Sequence, residues 1–313
     1  MTQDSIIDKL YDSIGVNPHS VCGRRDVAHV EVHQNKVLGV HLVPGLKVDA
    51  TEKDKGIEAR ISVEKGVRIG NPVHICFGVM PEKGQQEIDL DIDIEDSAQV
   101  GVLAYCSFPF ARQVIHRMDA NIRVGKGAEY GYFERHVHGG EGGVTVIPRS
   151  RVEVLEGGRF STEFELIKGR AGSIDIDLET VCRARSVMDV TARISARGND
   201  KITINETGRL IGERATGALT SHIALRDSAQ AEVRNTLTAS APFARGHVDC
   251  KEIVQGSAVA RAVPIVEVNH PQAHVTHEAA IGSVDSKQLE TLMSRGLTED
   301  EATELIIQGL LSR

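Results

Sequence analysis

The chain has 313 residues, with 36 Lys plus Arg against 44 Asp plus Glu, and a formal net charge of −8. That length can bury a core without disulfide staples, and the charge argues against a protein that coats nucleic acid through cationic contacts to phosphate. With no Trp, 7 Phe and 4 Tyr, the composition also argues against aromatic platforms for carbohydrate or single-stranded nucleic acid, and calls for a narrow or layered core of Val, Ile, Leu and Ala.

The N-terminal stretch MTQDSIIDKLYDSIG carries acids where a secretory signal is basic, and it has no apolar segment. A cytoplasmic location follows as the expectation. No apolar run approaches the ~20 residues of a bilayer-spanning helix, so no membrane association is expected. Residues 2–14 place Ile6, Ile7, Leu10 and Ile14 on one helical face, with Thr2 or Asp4 available as cap. An N-terminal helical segment is thus read over 1–26.

From 27 to 284 the period becomes two. Glu87 to Glu95 alternates acidic and apolar residues strictly, and Ile174 to Leu178, Ile202 to Asn205, Val152 to Val154 and Val190 to Ile194 repeat the alternation. Turn signals separate these short strands: Glu64-Lys65-Gly66, Gly125-Lys126-Gly127, Glu156-Gly157-Gly158, Gly198-Asn199-Asp200 and Arg226-Asp227-Ser228. So many short strands with acidic outer faces and small inner residues point to stacked coils. The expected fold is mainly β, a right-handed parallel β-helix with coils of on the order of 20–25 residues, flanked by short helical regions. A large multi-sheet β protein is the alternative.

The final zone, 285–313, returns to helix. Ser286 to Met293 forms one helix, Arg295-Gly296 stops it, and Thr298 with Glu301 makes a capping box for a second. Ala302, Leu305, Ile306 and Leu310 supply the apolar face of that second helix, and Leu289, Leu292, Met293 and Leu297 that of the first. The pair is either a terminal cap or a docking surface.

Cys22, Cys76, Cys106, Cys182 and Cys250 are scattered singly, with no C-x-x-C pair; reduced and mostly buried thiols are expected. Possible ligands concentrate late in the β zone. His247 and Cys250 lie three apart, and His270, His274, His277 and Glu278 fall within nine residues. In an extended strand His270, Gln272, His274, Thr276 and Glu278 share one face, while Ala273, Val275, His277, Ala279 and Ile281 share the other. That second face is apolar, so His277 is either a core histidine or a ligand. His136 and His138 also share a face and either hold a metal or face solvent. Thiolate, imidazole and carboxylate together suit iron or zinc better than magnesium or calcium. The glycines at 139–143 lack the Lys-Ser/Thr of a nucleotide loop and no G-x-S-x-G elbow is present, so any ATP hydrolysis belongs to another chain.

Thr276-His277-Glu278-Ala279-Ala280-Ile281-Gly282, Gln288-Leu289, Ser294 to Leu297, Glu301-Ala302 and Ile306 to Gly309 together resemble the SufB/SufD family of iron–sulfur cluster assembly scaffolds. Gly246 to Cys250, His136 to Gly139 and Pro72 to Gly78 extend the resemblance to its short archaeal-type members. The resemblance implies a β-helix scaffold that is not itself an enzyme. It implies a SufC-like ABC ATPase bound through the C-terminal helices, pairing through the β-helix (here as a homodimer), and a transient iron–sulfur cluster at the interface. It assigns Cys250, His277 and Glu278 as metal ligands, and His247, three residues before Cys250, is read beside them as a further cluster-binding residue. Two departures stand out. A small gap is needed to bring Cys250 into the register of the SufB cysteine, and Thr276 stands where SufB has Glu. A polysaccharide-active β-helix enzyme of the secreted type and a purely structural interaction solenoid are the alternatives.

Overall fold

The computed structural model describes residues 3–312, without the side chains of Gln3 and Asp4. The period-two pattern becomes a parallel β-helix of about eight turns. From Val73 on, each coil gives one strand to each of two sheets. The first sheet takes Val73–Gly78, Gln99–Phe108, Glu129–His138, Arg159–Lys168, Val187–Ala196, Thr216–Leu225, Arg245–Val254 and His274–Gly282. The second takes Lys83–Ile94, Gln113–Val124, Val144–Val154, Ser173–Cys182, Lys201–Leu210, Gln230–Ala239 and Val259–Val268.

Alternation along each strand sends one row of side chains into the lumen and the other to solvent. Ile88, Leu90, Ile92 and Ile94 point inward and are buried, while Asp89 and Asp91 are exposed. The outer acids meet arginines one coil away, as in Arg123–Asp93 at 2.7 Å and Arg209–Glu179 at 2.7 Å. Exposed pairs of this kind contribute little each. Stability comes from the aliphatic ladder inside, a single core cluster running from Ala28 to Cys250.

The coils are longer than the 20–25 residues expected. Lateral neighbours are 28 to 30 residues apart: Cys106 beside His136, Phe164 beside Ala192, Ser221 beside Cys250. Two ten-residue strands and two corners fill that length. One corner of nearly every coil carries a residue at positive φ, in turn Gly66, Ser97, Gly127, Gly157, Arg185, Arg214 and Phe243.

The two ends of the solenoid differ. At the N-terminal end both sheets finish in antiparallel strands, Lys36–His41 on the first and Leu46–Glu52 on the second. Helix α1 (Gln3–Ile14) packs beside them through Leu10, Tyr11 and Ile14. The face expected for this helix is therefore the one used; its expected cap, Thr2 or the side chain of Asp4, lies outside the described residues. At the C-terminal end the last strands, Val259–Val268 and His274–Gly282, each pair on one side only. Pro264, in mid-strand, suits such an edge because it has no N–H to donate.

Helices α2 (Ser286–Met293) and α3 (Glu299–Leu311) follow. Asp285 caps α2 by accepting from the Gln288 amide at 2.8 Å. The capping box forms as read: the Thr298 amide donates to Glu301 Oε2 at 2.8 Å and the Glu301 amide to Thr298 Oγ1 at 3.3 Å. The face of α3 that packs differs from expectation, being Ala302, Thr303, Ile307 and Leu311. Ile307 and Leu311 sit against Ala224 and Ile253 on the outside of the first sheet, and the Arg226–Glu304 ion pair at 2.5 Å fixes the roll of the helix. Both i, i+4 rows of α3 are apolar, so the sequence left the choice open. Leu305 is left exposed.

Candidate functional site

The four residues singled out in the sequence lie on the last two strands of the first sheet. Register decides which way each faces. Val248 pairs with His277, Asp249 with Glu278 and Cys250 with Ala279. Val248 and Cys250 are buried in the lumen, so His277 belongs to the inward row and Glu278 to the outward row. His247 is also outward and exposed, bonding Thr276 Oγ1 through Nδ1 at 2.8 Å. The fold thus gathers Cys250 and His277 on one side of the sheet, and His247 and Glu278 on the other. Within one chain the four do not converge on a single point. His277 is exposed rather than a core histidine, because its row belongs to the last coil and nothing stacks over it.

The outward side carries residues the sequence reading passed over. Asp249 accepts from Lys251 Nζ at 3.0 Å and lies 3.3 Å from His222 Nε2; Lys251 also reaches Glu278 Oε1 at 3.8 Å. Partial burial raises the Asp249 carboxyl, but Lys251 and His222 outweigh it and hold the group below the usual range. The strip of His222, Asp249, Lys251, His247 and Glu278 is therefore a charged, imidazole-bearing surface.

The inward side is a polar pocket in the last coils of the lumen. The Asn235 amide, oriented by its neighbours, donates to Glu206 Oε2 at 3.1 Å and accepts from the Ser221 hydroxyl at 2.9 Å. The end of the amide that meets Ser221 lies 3.7 Å from Cys250 Sγ. Burial, with Glu252 and Glu206 close by, pushes the Cys250 thiol up to about 12. Glu206 is buried and raised to about 8 by desolvation. Glu252 is raised to about 7, by burial first and then by Asp249, and neither of its oxygens has a hydrogen-bond partner among the described residues. At neutral pH the Cys250 thiol is therefore protonated. A metal or a cationic partner is needed to make it a thiolate.

Strand parity was the available signal for these residues. Glu206 follows Ile202 and Ile204 on the inward row, and Glu252 follows Val248 and Cys250. His136 and His138 obey the same rule. They line the lumen several coils towards the N-terminus, both buried, and do not form an exposed pair. Four of the five cysteines are buried as expected; Cys22 is exposed. Among the described residues no helix is long and apolar enough to cross a membrane.

Comparison with known proteins gives these features a family. The profile described as "SUF system FeS cluster assembly, SufBD core domain" matches residues 81–310. An iron–sulfur cluster assembly SufBD family protein of Methanocaldococcus jannaschii is 40% identical over 280 residues, covering 90% of this chain and 89% of that protein. One from Pyrococcus horikoshii is 33% identical over 303 residues, covering 97% of this chain and 92% of its own length. The outward strip, the polar groups of the lumen, helix α2 and all of α3 but its last residue lie within the matched region, and the chain belongs to the SufBD family of iron–sulfur cluster assembly proteins.

Proposed function

We propose that this chain is a scaffold subunit that pairs with a second copy through the open end of its β-helix and builds a transient iron–sulfur cluster there. The observation that carries this reading is the contrast between the two ends. The N-terminal end is blunted by antiparallel strands and a helix. The C-terminal end presents two long strand edges and an apolar inner row, with Val268 and Ile281 each 47% exposed. Unpaired edges of that kind recruit another chain, and a two-fold contact between identical edges closes on itself. His277 and Glu278 on the terminal strand would then meet their duplicates, with His247 flanking and the Cys250 thiol one coil behind. Iron, sulfide and the cluster are cargo in this scheme, and the scaffold supplies thiol, imidazole and carboxylate ligands for it.

A SufC-like ABC ATPase docks on the terminal helices in the same proposal. Support comes from the second apolar row of α3, which the sheet does not use. Leu305 is 47% exposed and Met293 of α2 is 42% exposed. ATP-driven closure of the partner would be transmitted through α3, whose Ile307 and Leu311 rest on the first sheet.

Three measurements test this. Light scattering should give a dimer for the wild type and a monomer for Val268→Glu with Ile281→Glu; a wild-type monomer refutes the pairing. A co-expressed ABC ATPase should co-purify with the full chain and be lost on Leu305→Glu with Met293→Glu. Anaerobic reconstitution with iron and sulfide should give a charge-transfer band that weakens in Cys250→Ala and in Glu278→Gln. A band indifferent to both substitutions moves the cluster elsewhere.

A further inference from the structure

The lumen holds a second constellation, several coils away from the open end. Cys106 and His136 are lateral neighbours on adjacent strands of the first sheet. Glu134 precedes His136 on the same inward row, and His116 reaches in from the second sheet. All four are buried, and one ligand atom from each lies within 4.8 Å of all the others. Cys106 Sγ is 3.6 Å from His116 Nε2 and 3.6 Å from Glu134 Oε1; His136 Nε2 is 2.6 Å from Glu134 Oε1.

Hydrogen bonds behind these groups assign their lone pairs. His138 Nδ1 lies 3.0 Å from the Arg170 carbonyl, an obligate acceptor, so that nitrogen carries the proton. Its Nε2 then accepts from His136 Nδ1 at 3.2 Å. His136, held in that tautomer, aims its Nε2 lone pair at Glu134. On the other sheet, Gln86 Nε2 donates to the Gln34 carbonyl at 2.9 Å, which turns Gln86 Oε1 towards His116 Nδ1 at 3.1 Å. The His116 proton is therefore on Nδ1, and its Nε2 lone pair faces Cys106. Four electron-pair donors converge on one point, and each imidazole is oriented from behind by an acceptor, as metal-bound histidines are. An imidazole nitrogen and a carboxylate oxygen at 2.6 Å need a proton or a metal cation between them.

The surroundings are largely aromatic. Phe108 lies 5.0 Å from His116 and 5.4 Å from His138 by ring centroids, Phe164 lies 4.7 Å from His136, and Phe77 lies 6.3 Å from His116. Three of the chain's seven phenylalanines thus wall this one site.

We propose that Cys106, His116, Glu134 and His136 form a resident site for one divalent first-row transition cation of the zinc or ferrous class. One thiolate, two imidazoles and one carboxylate make a closed four-coordinate set for such an ion, and the sulfur and nitrogen donors disfavour magnesium and calcium. Tetrahedral bonds of ~2.0–2.3 Å put ligand atoms about 3.3–3.8 Å apart, which the two 3.6 Å spacings already match; the His136–Glu134 pair opens to admit the ion. The site joins both sheets across the lumen, so the ion staples neighbouring coils. It needs neither a partner chain nor the open end, and it stands or falls separately from the cluster-assembly reading.

The test uses the full chain, stripped with a chelator and titrated with Co2+ as a spectroscopic substitute, with Zn2+ in competition. The expected result is one ion per chain with a thiolate-to-metal absorption band, displaced by Zn2+, and a rise in Tm on loading. Cys106→Ser should abolish the band, Glu134→Gln should weaken binding tenfold or more, and Cys250→Ala should leave both unchanged. X-ray absorption on zinc-loaded wild type, which requires no variant to fold, should find one sulfur and three nitrogen or oxygen ligands. No stoichiometric binding, a band that survives Cys106→Ser or vanishes in Cys250→Ala, or a sulfur-free metal shell each overturns the proposal.

Discussion

Glu206 offers the sharpest physical test of the lumen. It is a carboxyl buried beneath the aliphatic ladder and raised to about 8, against about 4.5 for an ordinary glutamate, with desolvation as the cause. A buried acid whose folded pKa is raised binds its proton more tightly in the folded state. Its protonated form is therefore compatible with folding, and stability is lost as pH rises from the unfolded value through the folded one. The gap from about 4.5 to about 8 corresponds to ~5 kcal/mol in full, of which ~4 kcal/mol is expressed by pH 8. The Asn235 amide donates to the ionised form at 3.1 Å, and a hydrogen bond to a charged group offsets about 1.5–3 kcal/mol. The neutral isostere Glu206→Gln removes the titration. The expected outcome is that its stability relative to wild type improves by about 0.5–2 kcal/mol between pH 5 and pH 8, the titration term less the hydrogen-bond offset. Urea unfolding of both proteins at the two pH values, followed by far-UV circular dichroism over a single transition, measures that change. A change below about 0.5 kcal/mol, or one of opposite sign, would mean that Glu206 is ionised in the folded chain and the desolvation argument fails.

Three further outcomes follow from the same structure. Asp200 is buried at a corner and accepts from Arg170 Nη2 at 2.8 Å and from the amides of Ala171, Gly172 and Arg197 at 2.9, 3.0 and 3.0 Å; Asp200→Ala should cost about 3–5 kcal/mol, measured by urea unfolding, and a loss under 1 kcal/mol would contradict this. Gly169 has φ +88°, and a Cβ there would sit 1.9 Å from the His138 carbonyl oxygen, so Gly169→Ala should lower Tm by more than the ~1 kcal/mol that Gly-to-Ala changes usually alter; an unchanged Tm would show the corner to be plastic. Alkylation of the native chain should modify Cys22 while sparing Cys76, Cys106, Cys182 and Cys250, and slowly, since burial and then Glu31 push the Cys22 thiol up to about 11. Mass spectrometry reads the order, and labelling of Cys250 as fast as Cys22 would mean that the lumen opens at its C-terminal end.

What the sequence disclosed was parity, and what it concealed was period. Alternation at Ile88, Leu90, Ile92 and Ile94 identifies inward positions without any structure, and the helices with their capping box are equally local. Coil length is not local. The left-handed corner recurs in nearly every coil, but Gly fills it at 66, 127 and 157, Ser at 97, Arg at 185 and 214, and Phe at 243, so the repeat exists in backbone conformation and not in residue identity. Without the period, lateral neighbours cannot be named. A coil of 29 residues sets Asp249, not Cys250, beside Glu278. The sequence resemblance grouped Cys250 with Glu278 because it reports residue types along the chain, whereas adjacency in a β-helix is set by the coil. The same gap hid the Cys106, His116, Glu134 and His136 set: 106 and 136 are one coil apart on one sheet, and 116 faces them from the other.

The placement of polar groups in this solenoid also bears on how it works. A lumen carboxylate or thiol costs stability that Leu or Val in its place would not, and these groups are not spread evenly along the lumen. Glu206, Asn235, Ser221, Cys250 and Glu252 occupy its last coils, while Cys106, His116, Glu134, His136 and His138 occupy coils nearer the N-terminus. Between and around them the wall is mainly Ile, Val, Leu and Ala, with Phe160, Met188 and Thr180 among them. A solenoid can carry two such groups because each coil contacts only its neighbours, so strain at one site is not transmitted to a site several coils away. The first group is walled by Phe77, Phe108, Phe164 and both sheets, away from the open end, the environment that the proposed resident ion would require. The second lies directly beneath an end where, among the described residues, no coil covers His277, Ala279 or Ile281, the access that the proposed cargo would require. On the two proposals above, holding an ion and exchanging a cargo make opposite demands on solvent access, and the enclosed and the open parts of one β-helix would meet them separately.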